Sequence, residues 1–361
     1  MANETHSTDR EPGAPTTAAP PSKPGLIRSI AHRLAGDRLA LPIEGRLASF
    51  DGATGWLNSE PLTPEVLRGR VVLVDFWTYT CVNWLRTLPY VRAWDAKYRD
   101  DGLTVIGVHT PEFSFERNID NVVAQSRTFD VEYPIAVDSD HAVWTAFANH
   151  FWPAVYIADV EGRIRHHHLG EGEYAQTEML IQQLLLDAGA NGIEQDLVEV
   201  EPRGLEVAAD WRTLQSPETY VGMARAPASR RRTSRPSTSP MSTPHPHRYV
   251  STTGAPGNWT VARHAAVLNE AGGRVCFQFH ARDLNLVVGS ASGGASSPFR
   301  VFLDGQVAEG AHGSDVESDG RGIVMDQRTY QLIRQPGPIA DRLFEIEFLD
   351  AGVEAYCFTF G

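Results

Sequence analysis

The sequence predicts an α/β domain followed by an all-β module, and three observations carry that expectation. Apolar runs alternate with helical patterns between residues 41 and 190, whereas short alternating runs without helices fill residues 249–361. Between them, residues 226–248 form a basic, turn-rich stretch with neither helical nor strand period, read as a linker or loop after a connecting segment at 191–225. The length of 361 residues agrees with two domains, because single cores stop growing near ~250–300 residues.

In the α/β part, VVLVDFW (Val71–Trp77) is a continuous apolar run with one charge, as a strand buried on both faces requires. Cys81 follows, and then Leu85, Leu88, Val91, Trp94 and Tyr98 recur at helical spacing. The cysteine therefore sits where a strand hands over to a helix. LTVIGVH is the next strand, FERNIDNVVAQSRTF the next helix, YPIAVD another strand and HAVWTAFANH a short helix. WPAVYIAD and GRIRHHHL are joined through Val160, Glu161 and Gly162 as a hairpin, and a last helix runs near Thr177 to Ala188.

In the all-β part, Val275, Phe277 and Phe279 alternate with polar or small residues, as do Phe344, Ile346 and Phe348, then Tyr356, Phe358 and Phe360. Asp304–Gly305 is a hairpin signal inside PFRVFLDGQV. The expected architecture is a sandwich of the jelly-roll kind.

Composition narrows the function. Hydrophobic residues at 42% permit a packed core, while a formal net charge of −13 argues against a general nucleic-acid or anionic-membrane binder, which needs clustered Lys and Arg. Arg230–Arg232 and Arg235 are read as a solvated charge run. Residues 1–25 are too poor in apolar surface to order and form a tail; they also lack the pattern of a secretory signal, and no segment reaches the ~20 apolar residues of a membrane span. The expectation is a cytoplasmic protein.

Three cysteines, Cys81, Cys276 and Cys357, are too few for a disulfide framework. At a helix N-terminus unpaired N–H groups favour a thiolate, so Cys81 is a candidate nucleophile; the other reading of its position is a small buried apolar residue. Cys276 and Cys357 lie out of phase with the aromatic stripes of their strands and are expected to be independent packing residues, able to pair only if their strands are neighbours. His166–His168 do not suggest a metal site: on a strand at most two of them share a face, and no carboxylate sits at helpful spacing. Neither a metal nor another cofactor is expected.

The segment V-D-F-W, with a cysteine six residues after the aspartate, resembles the active-site segment of thioredoxin-like proteins. The resemblance implies a thioredoxin fold with Cys81 as nucleophile, Asp75 as the buried aspartate that assists proton transfer, Trp77 as the aromatic beside the thiol, Pro89 as the proline of the active-site helix and Pro153 as the cis-proline. Trp77, Thr80, Val82, Asn83, Trp84, Trp152 and Pro153 are then the expected substrate-binding surroundings. FWTYTCVNW, VIGVHTPEF, YPIAVD, WPAVYIAD and GEGEY are similar to the DipZ subgroup of TlpA-type thioredoxin domains over about Leu41 to Ala188. SPETYVG and the closing AYCFTFG resemble the carbohydrate-binding-module-like β domain of that subgroup, which implies a glycan or protein partner for the β module and an extracytoplasmic alternative for location.

One departure bears on mechanism. Where the family reads C-x-x-C, Cys81, Val82, Asn83 and Trp84 read C-x-x-W, so the thiol that resolves a mixed disulfide is missing. Three readings follow: a monothiol oxidoreductase acting on a disulfide-bearing protein or peroxide with an external thiol reductant; a peroxiredoxin-like peroxidase, with Thr78 three residues before Cys81 but Val74 where that pattern has proline; and a non-catalytic binder using the groove beside Trp84 and Pro153.

Overall fold

The computed structural model describes residues 41–222, 250–251, 257–290 and 296–361. The expected tail at 1–25 and linker at 226–248 lie outside these residues.

The N-terminal sheet has seven strands in the order β1-β7-β6-β3-β4-β5-β2, formed by β1 (Gly45–Arg46), β2 (Gly55–Leu57), β3 (Val71–Trp77), β4 (Leu103–His109), β5 (Ile135–Val137), β6 (Ala154–Ala158) and β7 (Arg163–Leu169). β3, β4 and β5 are parallel, and β6 runs antiparallel to β3. Every residue of β3 is buried because both faces of the sheet are covered. Val71, Leu73 and Trp77 pack with Leu85, Leu88, Val91 and Trp94 of α1 (Val82–Tyr98) and Ile181 and Leu184 of a later helix, Tyr174–Asp187. Val72, Val74 and Phe76 face the other side, with Trp144 and Phe147.

Two helices differ from expectation. The pattern at Phe115–Phe129 is broken into a 3-10 turn, Ser114–Arg117, and a helix, Ile119–Thr128, because Asn118 caps the second: its Oδ1 accepts from the Asp120 amide at 3.0 Å. The last helix begins at Tyr174, three residues before the expected Thr177. The Val160–Gly162 turn does join β6 to β7, with Gly162 at φ +73 and its amide bonded to Asp159 O at 2.8 Å.

The C-terminal unit is a β-sandwich. One sheet follows the order β10-β11-β19-β13-β17, built from β10 (Trp259–Val261), β11 (Ala266–Leu268), β13 (Asp283–Ser290), β17 (Arg328–Arg334) and β19 (Val353–Phe360), with β8 (Thr219–Tyr220) also paired to β19. The other follows β15-β14-β18-β12-β9, from β9 (Val250–Ser251), β12 (Gly273–Phe279), β14 (Ser297–Leu303), β15 (Gln306–Val307) and β18 (Arg342–Phe348), with β16 (Arg321–Val324) on β14. Val275, Phe277, Phe279, Phe344, Ile346, Phe348, Phe358 and Phe360 fill the space between the sheets. Asp304 and Gly305 both take positive φ, 53 and 76, as the two-residue hairpin between β14 and β15 demands. Residues 219–220, within the segment read as connecting, supply a strand to this unit, and the Gln215 amide bonds His280 O at 3.0 Å.

Tyr356 leaves the aromatic stripe to which its spacing assigned it. The register shifts between Val287, opposite Cys357, and Val288, opposite Ala355, so a bulge puts Tyr356 outside the regular ladder. Its ring packs on Phe113 and Phe115 of the first unit, at centroid distances of 5.2 and 4.8 Å. The two units thus share a core: Tyr220, Val287, Tyr356 and Cys357 belong to the same buried cluster as Trp84 and Leu85. Hydrogen bonds from Thr329 Oγ1 to Thr80 O (2.7 Å) and from Arg86 Nη2 to Phe360 O (2.9 Å) fix the sheet against the start of α1.

Candidate functional site

Cys81 is the N-cap of α1, with extended backbone (φ −74, ψ 108), and its carbonyl accepts from Leu85 N at 3.0 Å. Its side chain is half-buried and borders the clusters on both sides of the N-terminal sheet. The helix-start geometry read from the sequence is present, but its expected consequence is reversed. Burial pushes the thiol well above its ordinary value, and the amides of Trp84 and Asn83, which favour the thiolate, do not offset it; the carboxylates of Glu112 and Glu218 raise it further. Cys81 is therefore a protonated thiol at neutral pH.

Trp84, in the place of the resolving cysteine, is fully buried. Its indole stacks on Trp77 at 4.2 Å, meets Phe129 edge-on at 5.9 Å, and donates from Nε1 to Asp75 Oδ2 at 2.9 Å. Asp75 is thus tied to Trp84. Burial raises its carboxyl to about 7, opposed by the Trp84 N–H and by the nearby Tyr133 hydroxyl, although neither Tyr133 Oη nor Asp75 Oδ1 reaches hydrogen-bond geometry. His109 lies edge-on to Trp77 at 4.8 Å; burial pushes it down to about 3, so it is neutral, and neither ring nitrogen has a partner.

Of the expected substrate-binding residues, Trp77, Thr80, Val82, Trp84, Trp152 and Pro153 are buried and Asn83 is partly exposed. Trp77 and Trp84 are core aromatics here and present no face to a ligand. Thr80 donates from Oγ1 to Glu116 Oε1 at 2.6 Å, and Trp152 Nε1 donates to Thr110 O at 3.1 Å. The Trp152–Pro153 bond is cis, as the resemblance implied.

The sequence reading missed the carboxylates around Cys81. Glu116 is buried and accepts from the amides of Glu112 and Phe113 at 2.6 and 2.8 Å; burial, then Glu112, raises it to about 7. Glu112 also accepts from the Tyr220 hydroxyl of the β unit. Glu171 pairs with the buried Arg86 at 3.1 Å. Their contacts to Thr80, Tyr220 and Arg86 join residues remote in the chain, while the bonds of Glu116 to the Glu112 and Phe113 amides are local.

Cys276 and Cys357 lie in different sheets of the sandwich, and the three cysteines form no disulfide. His167 bonds Glu44 at 2.7 Å, whereas His168 approaches Glu171 O and Glu173 on another side of the strand. Among the described residues no group of three or more His, Cys, Asp or Glu is placed to hold a metal ion, and no helix is long and apolar enough to cross a membrane.

Residues 216–361 match the family described as Thioredoxin like C-terminal domain. The chain is 35% identical to Protein DipZ of Mycobacterium tuberculosis over 269 residues, 73% of this chain and 37% of that protein, so it spans little more than a third of that relative's length. It is 30% identical to Thiol-disulfide oxidoreductase YkuV of Bacillus subtilis over 141 residues, 39% of this chain and 95% of that protein. A solved thioredoxin-like protein in its oxidized form is 30% identical, with 41% of this chain and 99% of that chain covered and a TM-score of 0.38. With a cysteine at the strand-to-helix junction, a cis-proline before β6 and a β-sandwich behind it, the chain belongs to the thioredoxin-like family, as a redoxin domain of the DipZ/TlpA type.

Proposed function

We propose that the chain is a thiol-disulfide oxidoreductase in which Cys81 is the attacking thiol and the cycle closes without a thiol at position 84. The observation that carries this is the pairing of a half-buried cysteine at the N-cap of α1 with a fully buried tryptophan where a second thiol would stand. Cys81 loses its proton to solvent and attacks one sulfur of a protein disulfide, forming a mixed disulfide and releasing one substrate thiol. A second thiol then attacks Cys81 Sγ: a disulfide between Cys81 and that thiol replaces the Cys81–substrate bond, the second substrate sulfur leaves as a thiolate that takes a proton from water, and a further equivalent of external thiol frees Cys81 and departs as the external disulfide. Trp84 cannot take that second role.

Burial raises the Cys81 thiol and slows attack on a disulfide and on a peroxide alike, since both reactions use the thiolate. Thr78, the hydroxyl of the peroxidase-like pattern, is buried and acts on the Glu116 carboxyl.

Insulin reduction with dithiothreitol as donor tests the proposal. Wild type and Cys276→Ser are expected to exceed the uncatalysed rate, with Cys81→Ser at background. Activity retained in Cys81→Ser, or background rates in all three folded proteins, would refute it.

A further inference from the structure

We propose that Cys357, on the face of the β-sandwich docked over the start of α1, is the resolving thiol for Cys81. This rests on the reading of Cys81 as attacking thiol and names what completes its cycle.

The geometry comes from strand register. Thr329, Val287 and Cys357 are directly opposite one another on β17, β13 and β19, so they form one row across three strands on one face of the sheet. The Thr329 end of the row bonds the carbonyl of Thr80, the residue before Cys81. Three residues beyond Cys357, the Phe360 carbonyl accepts from Arg86, in the second turn of α1. These two bonds bracket the stretch 80–86 over the sheet, with Cys357 at the third corner. Thr329 and Cys357 are two strand spacings, roughly 10 Å, apart on this row, and a Cys81–Cys357 bond needs a Cα separation of ~5.5–6 Å.

Two further observations point the same way. Cys81 borders the buried cluster that contains Cys357 and Val287. Glu218 lies 3.7 Å from Cys357 Sγ and also acts on the charge of Cys81, so one carboxylate serves both sulfurs. Cys276 has no such access: it faces outward on the far sheet, 3.4 Å from Glu345.

A protein disulfide, the oxidant, and the Cys81 thiol give a Cys81–substrate disulfide and one substrate thiol. Cys357 passes its proton to Glu218 and attacks Cys81 Sγ; the Cys81–substrate bond breaks, a Cys81–Cys357 bond forms, and the second substrate sulfur leaves as a thiolate that takes a proton from water. The substrate disulfide is reduced and the cysteine pair oxidised. An external thiol returns the pair to its reduced state.

The test treats the reduced full chain with glutathione disulfide, quenches with acid and maps the linked peptides by mass spectrometry, for wild type, Cys357→Ser, Cys357→Ala and Cys276→Ser, each checked for cooperative unfolding. Wild type and Cys276→Ser are expected to give a Cys81–Cys357 peptide. The two Cys357 variants are expected to hold a glutathione adduct on Cys81 at a level on the order of tenfold higher, because resolution within the molecule outruns attack by dilute thiol. Equal adduct in wild type and the Cys357 variants, with no linked peptide, would overturn the assignment while leaving Cys81 as nucleophile. Absence of both adduct and linked peptide at Cys81 would overturn the attacking-thiol reading as well.

Discussion

Asp75→Asn replaces a buried acid by a neutral group of the same shape that still accepts from Trp84 Nε1. The wild-type carboxyl titrates near 7 in the fold, against an ordinary value of 3.8. Between those values the folded protein holds a proton that the unfolded chain has lost, so wild-type stability falls as pH rises through the window and levels off above it. The full difference is about three pKa units, or about 4 kcal/mol at about 1.4 kcal/mol per unit. At pH 5 only part of that cost has accrued, and the variant's advantage should grow by about 2 to 3 kcal/mol from pH 5 to pH 8. Urea unfolding of both proteins at the two pH values measures it, since the remaining titrating groups are common to both. An advantage that is equal at the two pH values, or larger at pH 5, would refute the assignment of a buried, proton-holding Asp75.

Three further outcomes are expected. Alkylation of Cys81 by iodoacetamide should keep accelerating beyond pH 9.0, the thiol's ordinary value, because burial raises it; a rate that levels off below pH 8 would contradict this. Trp84→Cys should cost about 3 to 5 kcal/mol by chemical denaturation, because a fully buried indole is removed from its stack on Trp77, and an unchanged midpoint would show that Trp84 does not pack as described. Arg86→Met should lower stability by about 3 to 5 kcal/mol, since Glu171 is left as an unpaired buried acid and the Phe360 carbonyl loses its donor; a loss under about 1 kcal/mol would mean that this contact between the units does not form.

The strand at Val71–Trp77, the helix after Cys81 and the core stripes at Val275–Phe279 and Phe344–Phe348 were legible because period and burial are local properties of a sequence. The helical pattern at Phe115–Phe129 misled at its start, since Asn118 competes as a cap and a helical period does not register a cap within it. Tyr356 kept the spacing of its strand, yet a bulge turned it toward Phe115, and bulges carry no reliable spacing signal. The state of Cys81 was the largest misreading. A helix N-terminus argues for a thiolate, but burial outweighs it, and part of that environment is built by contacts such as Thr80 with Thr329 that join residues remote in the chain. The loss of the resolving cysteine was plain in the letters C-x-x-W, whereas the hydrogen bond that Trp84 gives Asp75 needed coordinates.

The attacking role of Cys81 is tested most directly by the release of free glutathione when the reduced protein meets glutathione disulfide, followed in time for wild type, Cys276→Ser and Cys81→Ser. Wild type and Cys276→Ser should release glutathione at matching rates that rise with pH, and Cys81→Ser should release none above the buffer control. Release from Cys81→Ser at the wild-type rate would contradict the account.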